Sequence, residues 1–238
     1  MKVTKLIALL AFPAFFACTV FAQTSDNHLS ARDVIHKTIE AMGGKEVLLS
    51  VKTLYTDMST EMEGRQVDWI TKEMLPNIGS FEIVYNNRVV YKDWYDGTTG
   101  YELSDGKKVK ADPDEFKDKK FKKNIFDELD YLDSTLWKLE LLDDEKVNGE
   151  DCYKIRATLA NGLVKLLYFS KTTYYQLRED KVSNKEKDSF STSYFSDYKK
   201  FGDLYFATSM TFGEGDHQQT AKTVKILINQ DISENDFE

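Results

Sequence analysis

Cys152 is the residue of this chain with the most chemistry to offer, because Cys18 is the only other cysteine. A nucleophilic thiol needs a depressed pKa and a base close by. Lys154 and Arg156 supply positive potential. The histidines, however, are His28, His36 and His217, two near an N-terminal helical segment and one in a Gly/Asp turn. No Cys–His pair is spelled out, and Cys152 is read as structural or incidental. The same search finds no H-E-x-x-H, no C-x-x-C and no His/Asp cluster at ligand spacing, which excludes the common transition-metal patterns. It also finds no G-x-S-x-G elbow, Walker loop or G-x-G-x-x-G turn. Asp96-Gly97-Thr98-Thr99-Gly100 joins two extended segments and reads as a hairpin loop. Carboxylate pairs among 40 acids carry no information without distances, since glycosidase chemistry depends on a separation of roughly 5 to 10 Å. The expectation is a protein without a catalytic constellation, a metal or a cofactor.

What the chain has in quantity is apolar and aromatic side chains: 15 Phe, 13 Tyr and 3 Trp. Such rings, together with flexible methionine thioethers, line adaptable apolar cavities. The elements that would position them follow from periodicity. Ser30 caps a helix whose Val34, Ile35, Ile39 and Met42 recur at 3.6-type spacing, with Asp33 in its first turn and Gly43-Gly44 at its end. The period then changes to two. Leu54, Thr56, Met58, Thr60 and Met62 share one side of an extended segment, with Tyr55, Asp57, Ser59 and Glu61 on the other. Further strands are expected at 67–74, 81–85, 89–95 and 101–103, separated by turns at Gly64, Pro76 to Gly79, Asn86-Asn87, Asp96-Gly97 and Asp105-Gly106.

Asp112-Pro113-Asp114-Glu115 carries a helix-start signal, cap, N1 proline and capping-box acid together. Phe121, Ile125, Leu129 and Leu132 form its apolar stripe, so one helix or two short ones are expected up to about Asp133, lying on the sheet as a cover. Lys117, Lys119, Lys120, Lys122 and Lys123 precede Asp127, Glu128, Asp130 and Asp133, an order that opposes the helix macrodipole. From Trp137 the strand pattern returns to Asn229, with turns at Asn148-Gly149, Asn161-Gly162, Gly202-Asp203 and Gly213 to Asp216. Around Cys152, Tyr153, Ile155 and Ala157 point one way; Cys152, Lys154, Arg156 and Thr158 point the other. The fold class is α+β, mainly β: about ten antiparallel strands in one long sheet that curls around helices.

The N-terminus adds a location. Lys2 and Lys5, an apolar run from Leu6, and small residues at Val20 and Ala22 form a signal peptide, residues 1–22, cleaved before Gln23. Phe15-Phe16-Ala17-Cys18 only loosely matches a lipidation box, since Phe15 stands where a smaller aliphatic belongs. Residues 23–238 form a single domain without a linker, and no later run approaches the ~20 apolar residues needed to span a bilayer. The mature chain carries 30 basic against 40 acidic side chains, a net charge of −10, which disfavours a nucleic-acid partner. Cys152 alone remains, so no internal disulfide forms.

Four segments together resemble exported proteins of the periplasmic lipoprotein carrier superfamily, the outer-membrane lipoprotein-sorting group: ARDVIHKTIEAMGGKEVLLSVKTL, YDGTTGYELSDGKKVKADPDEF, EKVNGEDCYKIRATLANGLVKLLYFSKTTYYQLRE, and SDYKKFGDLYFATSM with VKILINQDISENDF. The resemblance implies an unclosed antiparallel half-barrel with helices covering its concave face. It further implies a periplasmic, non-catalytic protein that shelters lipid or lipoprotein acyl chains. An envelope sensor or protein-interaction module, docking through Lys117 to Lys123, is the alternative on the same fold. The sequence has no match to the carriers' arginine-centred lid. Burying one methylene is worth ~0.8 kcal/mol, so a chain of about sixteen carbons supplies on the order of 10 kcal/mol before ordering costs. The expected groove residues are Leu54, Met58, Met62, Phe81, Ile83, Tyr153 and Ile155 on the strands, and Phe121, Ile125 and Leu129 from the cover.

Overall fold

The computed structural model describes residues 29–184, 189–213 and 218–237. The signal segment, His28 and His217 lie outside them. Helix α1 (Ala31–Met42) begins as its sequence predicts, with the Ser30 hydroxyl accepting from the Asp33 amide and the Asp33 carboxylate accepting from the Ser30 amide. It ends where the Gly43 and Gly44 amides reach back to the carbonyls of Glu40 and Ile39. Gly43 has φ +133°, and a Cβ there would meet the Asp203 carbonyl at 2.4 Å. Both facts require glycine. A second short helix, α2 (Lys45–Ser50), follows at once.

The rest is strand. A first meander comprises β1 (Thr53–Met62), β2 (Arg65–Met74), β3 (Ile78–Tyr85), β4 (Arg88–Tyr95), β5 (Gly100–Ser104) and β6 (Lys107–Lys110). After a connection containing a 3-10 turn (Lys119–Phe121) and α3 (Asp127–Tyr131), a second comprises β7 (Trp137–Val147), β8 (Glu150–Leu159), β9 (Val164–Ser170), β10 (Gln176–Asn184) and β11 (Ser189–Ser196). A separate hairpin, β12 (Lys199–Phe201) with β13 (Leu204–Phe206), precedes β14 (Ser209–Phe212) and β15 (Gln219–Ile228). The sheet has 13 strands, in the order β6-β5-β4-β3-β2-β1-β15-β14-β11-β10-β9-β8-β7. It is antiparallel throughout and remains open, because β6 and β7 are its two unpaired edges.

Those edges are consecutive in sequence, so residues 111–136 must run from one to the other. They do so across the concave face. Phe116 stacks on Tyr95 of β4 at 5.9 Å and packs on Gly100 of β5, where a Cβ would lie 2.2 Å from its ring. The Lys119 carbonyl accepts from Asn77, Lys122 pairs with Glu73 of β2 at 2.8 Å, and Asp118 accepts from Asn161 of the β8–β9 turn at 2.6 Å. The cover therefore lies where the sequence placed it but is a strap rather than a long helix. Its start signal makes one turn, with Asp112 accepting from Asp114 at 2.9 Å and its carbonyl from Glu115 at 3.1 Å. The lysine run that follows does not extend it, since like charges at helical spacing repel.

The main core fills the concave side under the helices. Val34, Ile35 and Ile39 of α1, Leu48 of α2 and Leu129 and Tyr131 of α3 meet Ile155, Ala157, Leu167 and Phe169 from β8 and β9. Each fully buried large side chain contributes roughly 1.5–3 kcal/mol. The convex face holds a smaller core of Val147, Cys152 and Tyr168. Cys152 thus lies on the expected side of the strand alternation, yet it is wholly buried there.

Candidate binding groove

Cross-strand register carries the face assignment from β1 outwards, because directly opposed residues point the same way. Leu54 opposes Glu73, which opposes Gly79; Thr56 opposes Thr71, which opposes Phe81; Met58 opposes Trp69, which opposes Ile83. Ile83 in turn opposes Tyr91. All of these share the concave face with Leu54, a member of the helix-packed core. Phe212 joins from β14: its ring lies 4.9 Å from Trp69, and Trp69 is edge-on to Phe81 at 5.8 Å. The Trp69 indole N–H donates to the Met62 sulfur at 3.4 Å. Phe81 is 6.2 Å from Tyr91.

This floor differs from the rest of the concave face. Met58, Met62, Trp69, Phe81, Ile83 and Phe212 stand outside the helix-packed core and are half-buried; Tyr91 is exposed. The expected groove residues consequently divide. Met58, Met62, Phe81 and Ile83 come together on the floor. Leu54, Ile125, Leu129 and Ile155 lie in the core with Tyr153 and Phe121 packed against it, and Ile155 has no exposed surface. Two clefts lie beside the core and the strap. One, of about 250 Å³, is lined by Phe121, Trp137, Leu159 and Leu163 with lysines and acids around them. The other, of about 310 Å³, is lined by Leu54, Ile125, Phe126, Tyr198 and Phe206 among others.

Between the clefts sits an ion cluster. Asp127 receives Lys122 at 3.4 Å and Lys165 at 3.2 Å, Lys122 also reaches Glu73 at 2.8 Å, and Lys165 reaches Glu179 at 3.2 Å. The side chains of Lys165 and Lys122 are 13% and 24% exposed, so desolvation works against both charges. Burial alone would lower each lysine, but the carboxylates around them, with Tyr131 for Lys165, overcome it and raise both. Burial likewise pushes Asp127 up, yet Lys165 and Lys122 hold it below the usual carboxylate range. Among the described residues Glu128 has no lysine at ion-pair distance, and Lys165 and Lys122 act on it only weakly. Burial first, then the Asp127 charge, push it up to about 7. The cluster fastens the strap to both meanders, β2 on one side and β9 and β10 on the other.

The lysine run is split by this packing. Lys117, Lys120 and Lys123 face solvent, whereas Lys119 and Lys122 turn into the strap's underside. Cys152 offers no nucleophile: burial pushes its thiol up to about 11. Sequence reasoning missed Trp69 and Phe212, although Trp69 sits at a core-facing parity of a segment already read as a strand. It also left the ion cluster unseen, since no spacing rule links Glu73 to Lys122 or Asp127 to Lys165.

No family model matches the sequence, and no curated protein matches it. Solved structures do match its fold. A DUF1329 family protein from Desulfovibrio piger is 17% identical with a TM-score of 0.58, covering 87% of this chain and 97% of the other. A LolA superfamily protein from Nitrosomonas europaea is 10% identical with a TM-score of 0.60, covering 89% and 98%. A domain described as that of an outer membrane lipoprotein-sorting protein, from Vibrio parahaemolyticus, is 14% identical with a TM-score of 0.55, covering 87% and 95%. The chain shares the fold of these structures, a large antiparallel sheet that is not closed into a barrel. At these identities the likeness is one of architecture.

Proposed function

We propose that this is an exported, non-catalytic binding protein whose concave groove shelters the acyl chain of a lipid or lipid-modified protein. The observation that carries the reading is the floor: Met58, Trp69, Phe81, Ile83 and Phe212 form one apolar surface left outside the helix-packed core. An acyl chain laid on it removes apolar area from both partners without needing a strong polar contact. The strap crosses the same face, so a chain lying on the floor runs towards its underside. The names of two fold neighbours, a LolA superfamily protein and a lipoprotein-sorting domain, agree with this use of the half-barrel. The N-terminal signal pattern supports an envelope location.

Native mass spectrometry of protein prepared without detergent tests the proposal. Acyl species at defined stoichiometry, extractable by solvent, are expected with the natural chain. They should be lost in Met58→Glu, which charges the floor, and kept in Tyr55→Ser, which alters the opposite face of β1. A clean apo mass that also takes up no added lipid would contradict it.

A further inference from the structure

One lysine on the strap's underside has no direct ion pair among the described residues. Three of the four lysines lining the cleft of about 250 Å³ have a carboxylate at ion-pair distance: Lys122 has Glu73 and Asp127, Lys165 has Asp127 and Glu179, and Lys181 has Asp118 at 3.6 Å. The fourth is Lys119. Among the described residues no carboxylate reaches it within 4.0 Å and its ammonium makes no hydrogen bond. Of the remaining acids on this cleft, Asp130 is occupied by the amides of Lys123 and Asn124 and by the Asn124 side chain, and Glu115 is exposed.

Position 119 is also fixed. Its carbonyl accepts from Asn77 and its amide donates to Phe116 at 3.0 Å. Burial, and next the neighbouring Lys122 charge, lower the Lys119 ammonium from its usual range, so an arriving anion would relieve a standing penalty. Glu73, Asp127 and Asp93 act on Lys119 from beyond ion-pair distance, but Glu73 and Asp127 are engaged with Lys122 and Lys165, and Asp93 is raised by burial and accepts from the Tyr91 hydroxyl at 3.0 Å. Asp93 opposes Phe81 across β3 and β4. Lys119 therefore lines the cleft and acts on Asp93, the cross-strand neighbour of the floor residue Phe81.

We infer that the ligand is an anionic amphiphile, its carboxylate or phosphate head paired with Lys119 under the strap and its chain extended over Phe81 and Trp69. The inference rests on the acyl-binding reading above and adds a polar end to it. The head group gives the chain a direction in the groove, which an apolar floor alone does not.

Titration calorimetry with laurate, dodecyl phosphate and 1-dodecanol, at one pH and ionic strength, separates head from chain. The natural protein is expected to bind the two anions about tenfold or more tighter than the alcohol, the scale of one charge-assisted contact. In Lys119→Met that preference should vanish with dodecanol binding unchanged, and Lys119→Arg should restore it. Inorganic phosphate alone should neither bind nor displace laurate, which distinguishes a lipid head from a free anion. Equal binding of all three amphiphiles, unaltered by Lys119→Met, would overturn the head-group site while leaving the acyl floor standing. Binding of inorganic phosphate that displaces laurate would overturn it in favour of a small-anion site. Failure of all three to bind would remove the floor and the head-group site together.

Discussion

Ile155 and Met58 lie on the same concave face of one sheet, yet Ile155 has no exposed surface and Met58 is half-buried. The difference lies in what sits above them. Over β8 and β9 the helices α1 and α3 complete a core, and the apolar side chains there spend their hydrophobic free energy on folding. Over Met58, Trp69 and Phe81, beyond Leu54, the described residues supply only the edge of a strap, pinned by ions. A sheet of 13 strands is wider than three short helices can cover. Apolar residues that are spent on folding in one half remain open to a guest in the other.

Core truncation sharpens that contrast most. Ile155→Ala should cost about 3 kcal/mol in urea denaturation, since it empties a site with no exposure against α1. Met58→Ala should cost less than about 1 kcal/mol. Equal losses would mean that the floor is core and not groove.

The ion cluster comes next. Asp127→Asn should cost about 2 kcal/mol, because it removes a shared counter-charge from Lys122 and Lys165, tempered by the 42% exposure of Asp127 itself. The folded pKa of Asp127 is depressed, so its contribution is present above the usual carboxylate range and is lost as pH falls below it. The variant should show a shallower loss of Tm on acidification. A stability profile identical to that of the natural protein would show that the strap is held by packing alone.

Glu128 has the opposite sign. Its folded pKa is raised to about 7, so the folded state binds the extra proton between the two pKa values. Stability from this group is full below the unfolded carboxylate range and is lost as pH rises through about 7. Glu128→Gln should gain on the order of 1 kcal/mol at alkaline pH, allowing for solvent screening, and nothing in acid. A gain equal at both ends would exclude the proton linkage. The smallest effect belongs to Tyr55→Ser on the convex side of β1, expected within about 0.5 kcal/mol and without change in ligand uptake.

Much of this contrast was legible in sequence where the signal is local. Ser30 and Asp33 name their own capping box, Asn148-Gly149 and Asn161-Gly162 place their turns, and alternation puts Met58, Phe81 and Ile155 on their observed faces. What alternation lacks is any account of which strands the helices lie over. Leu54 and Met58 read alike in sequence, and only the packing of α1 and α3 separates core from floor. The strap shows the same limit. Asp112 and Pro113 give a true start, but long-range partners on β2, β9 and the β8–β9 turn decide the path of the residues that follow. Lys119 and Lys120 are neighbours of identical type, and one faces the cleft while the other faces solvent.

Trp69 allows the central claim to be measured at the groove itself. Of the three tryptophans, Trp94 and Trp137 are 2% and 7% exposed, and Trp69 alone lies on the floor. A fatty acid brominated in mid-chain quenches indole fluorescence on contact. Titrating it into the natural protein and into Trp69→Phe, with unbrominated acid as control, locates the chain. Saturable quenching is expected that disappears in Trp69→Phe while binding by calorimetry persists. Quenching of equal depth in both proteins, or binding without any quenching of Trp69, would put the acyl chain elsewhere and contradict it.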